Sequence, residues 1–124
     1  MLEHARLQTL VWSADVAKAK VFYEEVLRLP FRHYSHGAAV FDVNGGELRI
    51  SPVPSTRPSE HTVLGFAIKD LAAIAYALVT CGVATERFAG FAHDADGVWT
   101  APDGTQVIWF RDPDGNLLSA VQYA

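Results

Sequence analysis

The chain has 124 residues, of which half are hydrophobic and 19% are charged, and its formal net charge is −4. This length suffices for one domain around one core. The absence of a Lys/Arg cluster argues against a nucleic-acid partner, and the absence of any apolar run near the ~18 residues that span a bilayer argues against a membrane. The N-terminus lacks a secretory pattern and Cys81 is the only cysteine, so we expect a cytoplasmic protein.

The first half of the chain predicts a strand, a helix and three further strands. Residues 6–12 predict the strand, the apolar spacing of residues 14–28 predicts the helix, and Pro30 ends it. Ser13 is the expected N-cap of this helix. Three short strands follow, at residues 31–36, 37–43 and 47–53, the last of them after the typical hairpin turn Asn44-Gly45-Gly46.

The second half repeats this order after a linker rich in Pro and Ser at about residues 53–61. Residues 62–69 predict a strand, and a helix then runs from Asp70 to Gly82. Asp15 and Asp70, which open the two helices, lie 55 residues apart. The remaining predicted strands are residues 83–88, 105–111 and 116–123, with an irregular segment from Ala89 to about Gly97.

A repeat of this size predicts one domain, residues 1–124, of the α+β class, made of two βαβββ modules at about 5–53 and 62–124. Neither module can cover its sheet alone. Two curled mixed sheets with the helices outside would form a cup, and the interior of a cup is the expected site for a small molecule.

Three segments resemble the vicinal oxygen chelate superfamily, which contains glyoxalase I, bleomycin-resistance proteins, fosfomycin-resistance enzymes and extradiol dioxygenases. Residues 13–31 are similar to the family's first helix, whose pattern F-Y-x-x-V-L-G-L begins here at Phe22, with Arg28 in place of the usual Gly. Residues 66–71 resemble the start of the second module. Residues 110–116, which contain Asp112-Pro113-Asp114-Gly115, resemble the family's final hairpin. The resemblance implies the duplicated glyoxalase/bleomycin-resistance fold.

Metal-dependent members of this superfamily place ligands at four positions, and the resemblance carries each of them onto this chain. The positions lie seven residues before each helix Asp, in the fourth strand, and four residues past the hairpin Gly. They hold, in chain order, Gln8, Arg49 or Ser51, Val63 and Ser119. A divalent cation of this chemistry needs several carboxylates and imidazoles. We therefore expect no metal and no other cofactor, which disfavours glyoxalase, fosfomycin-modifying and ring-cleaving activity.

Histidines offer a displaced metal site or an acid–base group. His33 and His36 lie three residues apart on a predicted strand, so we expect them on opposite faces, and they are the best candidates for a general acid or base. His93-Asp94-Ala95-Asp96 is a candidate ligand cluster. The Ala and Gly residues around it predict a mobile surface loop instead.

The predicted lining of the cup is apolar with a few polar groups, the usual profile of a small-molecule site. Alternation along the strands places these residues on it: Gln8, Leu10, Trp12, Arg49, Ser51, Val63, Gly65, Ala67, Leu117, Ser119 and Val121. Trp109 or Phe110 joins them, because periodicity does not decide which of the two faces inward. Trp12 offers a stacking surface, and Arg49 could pair with an anionic group.

We expect a metal-free protein that binds and sequesters a small ligand, aromatic ones included, as the bleomycin-resistance branch does. Two alternatives stay open: a metal-independent enzyme of the lyase or isomerase type, and a glyoxalase- or dioxygenase-type enzyme with a displaced metal site. The sequence does not decide whether the protein is an enzyme. Members of this superfamily usually dimerise, so the expected partners are a small-molecule ligand and a second copy of the chain.

Overall fold

The computed structural model describes all 124 residues, which form two compact units, Met1–Arg57 and Pro58–Ala124. The boundary lies within the predicted linker at about 53–61. Each unit contains one mixed β-sheet and one α-helix, in the same order along the chain. The predicted α+β class and the duplicated arrangement are therefore confirmed.

The first unit consists of β1 (Gln8–Ser13), α1 (Val16–Val21), β2 (Phe31–Ser35), β3 (Ala38–Val43) and β4 (Gly46–Pro52). Its sheet has the order β1-β4-β3-β2, in which β1 runs parallel to β4 and the other pairs are antiparallel. The parallel pair requires a long crossover, and the helix with the β2–β3 hairpin provides it. β1 is thereby left as one edge of the sheet.

The start of α1 differs from the prediction. Asp15, not Ser13, is the N-cap, and its carboxylate accepts a hydrogen bond from the Lys18 backbone N–H at 3.1 Å. Ser13 is the last residue of β1, is fully buried, and accepts from the Asp15 N–H through its hydroxyl. The side chains of Ser13 and Asp15 thus each accept a hydrogen bond from a backbone N–H group at the start of this short helix.

The end of this helix also lies earlier than predicted. After Val21 the chain continues as a π-helical segment, Phe22–Val26, and the Leu27 N–H donates to the Phe22 carbonyl at 3.0 Å. Arg28 then adopts a left-handed backbone with φ of 62°. The π-helical segment therefore ends at Val26, and the left-handed Arg28 terminates the helical stretch before Pro30 is reached. A residue with a Cβ is strained in this conformation, which explains why Gly is usual here in the family that the sequence resembles.

The core of the first unit lies between this helical segment and one face of the sheet. Tyr23 and Phe41 are fully buried with ring centroids 6.0 Å apart, and Leu48 and Ile50 of β4 are buried beside them. Because side chains alternate along a strand, the other face of the sheet carries a different set, which we call the first open face. Its residues on β1 and β4 are Gln8, Leu10, Trp12, Glu47, Arg49 and Ser51.

Two tight turns join the antiparallel strands of this sheet. Asn44 and Gly45 both have positive φ, as the sequence predicts for a two-residue hairpin loop. His36 and Gly37 form the other turn, with φ of 51° and 79°. His36 thus lies outside β2. The expectation that His33 and His36 occupy opposite faces of one strand was wrong, because the strand ends at Ser35.

The second unit consists of β5 (Thr62–Ala67), α2 (Leu71–Thr80), β6 (Thr85–Glu86), β7 (Trp99–Thr100), β8 (Gln106–Arg111) and β9 (Leu117–Gln122). Its sheet has the order β5-β9-β8-β6, and β7 also pairs with β8. The predicted strand at 83–88 is only two residues long. As predicted, Asp70 caps α2, and Gly82 follows its last turn with φ of 75°.

The hairpin between β8 and β9 is built around a buried carboxylate. Asp112 is 6% exposed and accepts from the backbone N–H groups of Asp114 and Asn116 and from the Asn116 side-chain amide, at 2.8–2.9 Å. Gly115 has φ of 83°, and a Cβ added there would approach the Pro58 Cα to 3.0 Å. Arg111 donates to the Ser59 and Gly115 carbonyls. The hairpin therefore also fixes the start of the second unit.

The structure contains no helix whose length and hydropathy would allow it to cross a membrane.

Candidate functional site

Two large apolar side chains on the first open face are more than half exposed. Leu10 is 54% exposed and Trp12 is 63% exposed, although both lie within β1. The register places Leu10 opposite Arg49 and Trp12 opposite Ser51. Leu10 and Trp12 thus occupy the face that the sequence predicted, and an exposed indole of this size is an unusual feature that favours a binding surface.

Arg49 is less available to an anionic ligand than its type suggests. Its side chain is only 15% exposed, and one guanidinium nitrogen donates to the Ser35 carbonyl at 2.9 Å. The other terminal nitrogen lies 3.8 Å from the Glu47 carboxylate. Arg49 therefore connects β4 to the end of β2 and balances an acidic neighbour.

Glu47 is a functional candidate that the sequence analysis missed. It lies opposite Gln8 in the parallel pair, and the Gln8 side-chain amide donates a hydrogen bond to its carboxylate. This hydrogen bond, helped by the nearby Arg49 charge, lowers the pKa of Glu47 below its ordinary value. A pocket of about 260 Å³ adjoins the pair, lined by Arg6, Leu7, Gln8, Gly45 and Glu47.

A sequence signal for Glu47 did exist. Glu47 lies two residues before Arg49, so the alternation that assigned Arg49 and Ser51 to the open face assigns Glu47 to it as well. His33 of β2 is a further exposed titratable group, paired with Val40 in the same cross-strand row as Arg49. The first open face thus carries a carboxylate and an imidazole.

The second sheet also has a face opposite its helix, which we call the second open face. One cross-strand row on it runs through Glu86, Trp109, Ser119 and Gly65, in neighbouring strands. Phe110 belongs to the other face and is 2% exposed. The register therefore decides between the two aromatic residues that periodicity left open, because Trp109 shares its face with Ser119.

The other predicted residues of this sheet differ in accessibility. Ala67 is exposed and Val121 is half-buried, and the two are paired in the row next to Ser119. Leu117 is 3% exposed and Ser119 is 7% exposed. Val63 is half-buried at a point where the pairing of β5 with β9 is irregular. Accessible surface on this face is thus concentrated at Gly65, Ala67 and Trp109.

Five rings form a cluster around Trp109 that the sequence analysis did not identify. Trp109 contacts Phe88 edge-on at 5.2 Å between ring centroids, and Phe91, His93 and Trp99 at 5.9–6.2 Å. Phe91 in turn contacts Trp99 at 4.9 Å. We call these five residues the aromatic cluster. Periodicity could not find it, because three of its members lie on the irregular segment between β6 and β7.

The loop that carries these rings is ordered by its own polar contacts. The His93 Nε2 accepts from the Phe88 N–H at 3.0 Å, and its Nδ1 lies 2.8 Å from the Gly97 carbonyl, to which it donates. Arg87 donates to the Asp94 and Ala95 carbonyls. His93 therefore has no ring nitrogen left for a metal or a substrate. The loop lies largely at the surface, as expected, and its mobility stays a prediction.

The four positions that hold metal ligands in metal-dependent members do not supply a ligand set here. Val63 has no donor atom, Ser119 offers one hydroxyl, and the Gln8 amide is engaged with Glu47. Arg49 and Ser51 add a cation and a second hydroxyl. No group of three or more His, Cys, Asp and Glu side chains in the structure could hold a metal ion. The donors at these positions do not fit a divalent cation.

Several solved structures have a similar fold at low sequence identity. Lactoylglutathione lyase from Agrobacterium tumefaciens has a TM-score of 0.74 and 18% identity, covering 96% of this chain and 93% of that one. A fosfomycin resistance protein from Listeria monocytogenes has a TM-score of 0.73 and 13% identity, covering 95% and 92%. A glyoxalase/bleomycin resistance protein/dioxygenase from Alicyclobacillus acidocaldarius has a TM-score of 0.69 and 17% identity, covering 97% and 92%.

No curated protein is a significant sequence match to the chain. The similarity to solved structures establishes the fold and extends over nearly the whole chain. A family model provides the assignment from sequence: that of the Glyoxalase/Bleomycin resistance protein/Dioxygenase superfamily matches residues 4–119, and the chain belongs to this superfamily.

Proposed function

We propose that this chain is a metal-free member of the superfamily that binds and sequesters a small ligand, with aromatic ligands favoured, as the bleomycin-resistance branch does. The observation that supports this most is the donor set at the four ligand positions. Val63 replaces a ligand by a hydrocarbon, and Ser119 replaces one by a buried hydroxyl. Chemistry that depends on a metal at these positions would lack the charge that holds the ion.

The character of the two open faces supports ligand binding over a purely structural role. Trp12 and Leu10 are exposed on the first, and Trp109 stands beside the small residues Gly65 and Ala67 on the second. Apolar and aromatic surface with a few polar groups is typical of small-molecule sites. The proposal includes the expected homodimer and a cytoplasmic location, and light scattering of the purified chain at micromolar concentration tests the dimer.

A second candidate function has its own support. Glu47 and His33 lie on the first open face and carry a carboxylate and an imidazole, and the Glu47 carboxylate is ionised near neutrality, as glutamates ordinarily are. An ionised carboxylate can act as a general base. A metal-independent lyase or isomerase is therefore the alternative, and it requires that Glu47→Gln abolishes turnover while leaving ligand affinity nearly unchanged.

Fluorescence titration with N-phenylnaphthylamine, an uncharged aromatic probe, tests the proposed function. The chain should bind the probe saturably, with the same affinity in the presence and absence of EDTA, and the probe should be recovered unaltered. Trp12→Leu should weaken binding by about fivefold, because a stacked indole contributes on the order of 1 kcal/mol. The exposed Tyr76 provides the control, since Tyr76→Leu removes an aromatic ring from α2, which belongs to neither open face. Binding that disappears with EDTA would contradict the proposal.

A further inference from the structure

The aromatic cluster has a feature that core packing does not require. Phe91, at its outer edge, is 43% exposed, and Trp109 and Trp99 are only half-buried. The floor beside Trp109 consists of Ser119 and Gly65, and a Cβ added to Gly65 would lie 3.2 Å from the Ser119 hydroxyl. Gly65 is exposed and carries no side chain, so the strand surface beside the rings is flat at this point.

Hydrogen bonds and ring contacts hold the aromatic cluster in place. His93 is held at both ring nitrogens, by the Phe88 N–H and the Gly97 carbonyl, and it contacts Trp109 at 5.9 Å between centroids. Position 97 requires a glycine, because any side chain there would collide with Thr85. Preorganised rings bind a ligand without the entropic cost of ordering them.

The unit that contains the aromatic cluster differs from the other unit in its net charge. The residues of Pro58–Ala124 include eight Asp and Glu against three Lys and Arg, a formal charge of −5, whereas Met1–Arg57 has six against seven, a charge of +1. The two arginines nearest the cluster are engaged, Arg87 with loop carbonyls and Arg111 with Glu86 at 2.6 Å. Asp94 and Asp96 lie on the same loop as Phe91. Among the charged residues beside the rings, Glu86, Asp94 and Asp96 outnumber Arg87 and Arg111, and this excess of negative charge favours a cation.

We propose that the aromatic cluster and the Gly65–Ser119 floor bind a planar aromatic cation. The cation stacks on Trp109, and its positive charge is delocalised over its own rings. This inference rests on the proposed function and specifies its ligand class. Indole faces attract cations through the ring quadrupole, by an amount that corresponds to about tenfold in affinity at a partly desolvated site. A flat delocalised cation also matches the floor, where Gly65 presents no side chain.

Calorimetry with three acridines of nearly equal size tests this inference on the full chain. N-methylacridinium is a permanent cation, acridine is uncharged in slightly alkaline buffer, and acridine carboxylate is an anion. We expect the cation to bind about tenfold more tightly than acridine, and the anion to bind most weakly. Equal affinities for the three compounds, or preference for the anion, would overturn the inference.

Two variants locate the binding. Phe91→Leu and Trp109→Leu should each weaken N-methylacridinium binding by several-fold, and Tyr76→Leu should leave it unchanged. The Phe91 ring lies on a loop and is partly exposed to solvent, so we expect Phe91→Leu to fold. This variant therefore tests the location of the binding site even if Trp109→Leu fails to fold. Unchanged cation affinity in Phe91→Leu would refute the assignment. The proposed function fails separately, by EDTA-sensitive binding of N-phenylnaphthylamine, so the two failures are distinguishable.

Discussion

Arg28 has a strained backbone conformation that lowers the stability of the fold. Its left-handed φ of 62° follows the π-helical segment, and the side chain is exposed. For a residue with a Cβ this conformation costs about 1–2 kcal/mol, whereas Gly adopts it freely. Gly also loses more entropy on folding, which offsets part of the gain.

We therefore predict that Arg28→Gly stabilises the protein by about 0.5–1 kcal/mol in chemical denaturation. Arg32→Gly is the matched control, since Arg32 is equally exposed but lies in β2, where Gly weakens the strand. The account of the helix end is wrong if both variants lose stability to the same degree.

Gln8 and Glu47 provide a second prediction at this scale. Removing the amide donor in Gln8→Leu should raise the pKa of Glu47 towards its ordinary value, as measured by NMR titration of the Glu47 carboxyl carbon. Thr9→Val, on the opposite face of β1, should leave it unchanged. Since folding lowers this pKa, the Gln8–Glu47 contribution to stability is present above the unfolded pKa and is lost as pH falls through the folded one. An unaltered Glu47 pKa in Gln8→Leu would contradict this.

At the scale of elements, the sequence correctly predicted the helix caps and turns, which depend only on residues close together in the chain. Asp70, Gly82 and Asn44-Gly45 predicted their cap and turns because such residues act within one turn of chain. The π-helical segment and the two-residue β6 could not be predicted in this way, because packing and pairing with distant residues decide them. Face assignment by alternation succeeded for Trp12 and Ser119, and the register alone separated Trp109 from Phe110.

The hairpin at Asp112 provides the prediction at this scale. Asp112→Ala leaves three donors unsatisfied in a buried turn, and we expect a loss of about 2–4 kcal/mol in the free energy of unfolding. Asp103→Ala, which removes a similar but exposed turn carboxylate that bonds Thr105, should cost clearly less. Comparable losses of unfolding free energy in the two variants would show that the burial of Asp112 does not determine how much its carboxylate stabilises the protein.

At the scale of the whole molecule, the sequence predicted the superfamily and the duplicated fold. It did not identify the aromatic cluster, since Phe88, Phe91 and His93 meet Trp109 only through an irregular loop. Nor did it predict that His93 would be fully engaged by the backbone of that loop. Contacts of this kind depend on tertiary structure, which no periodicity encodes.

The central claim is that the superfamily fold here binds its ligand without a metal. Equilibrium dialysis of the untagged, chelator-treated chain against micromolar Zn²⁺, Ni²⁺, Mn²⁺ and Fe²⁺, followed by elemental analysis, tests it most directly. Val63 and Ser119 cannot supply the ligands that such an ion needs, so we predict metal far below one equivalent per chain for every ion. One equivalent of any of these ions, lost again in Glu47→Gln, would contradict the account.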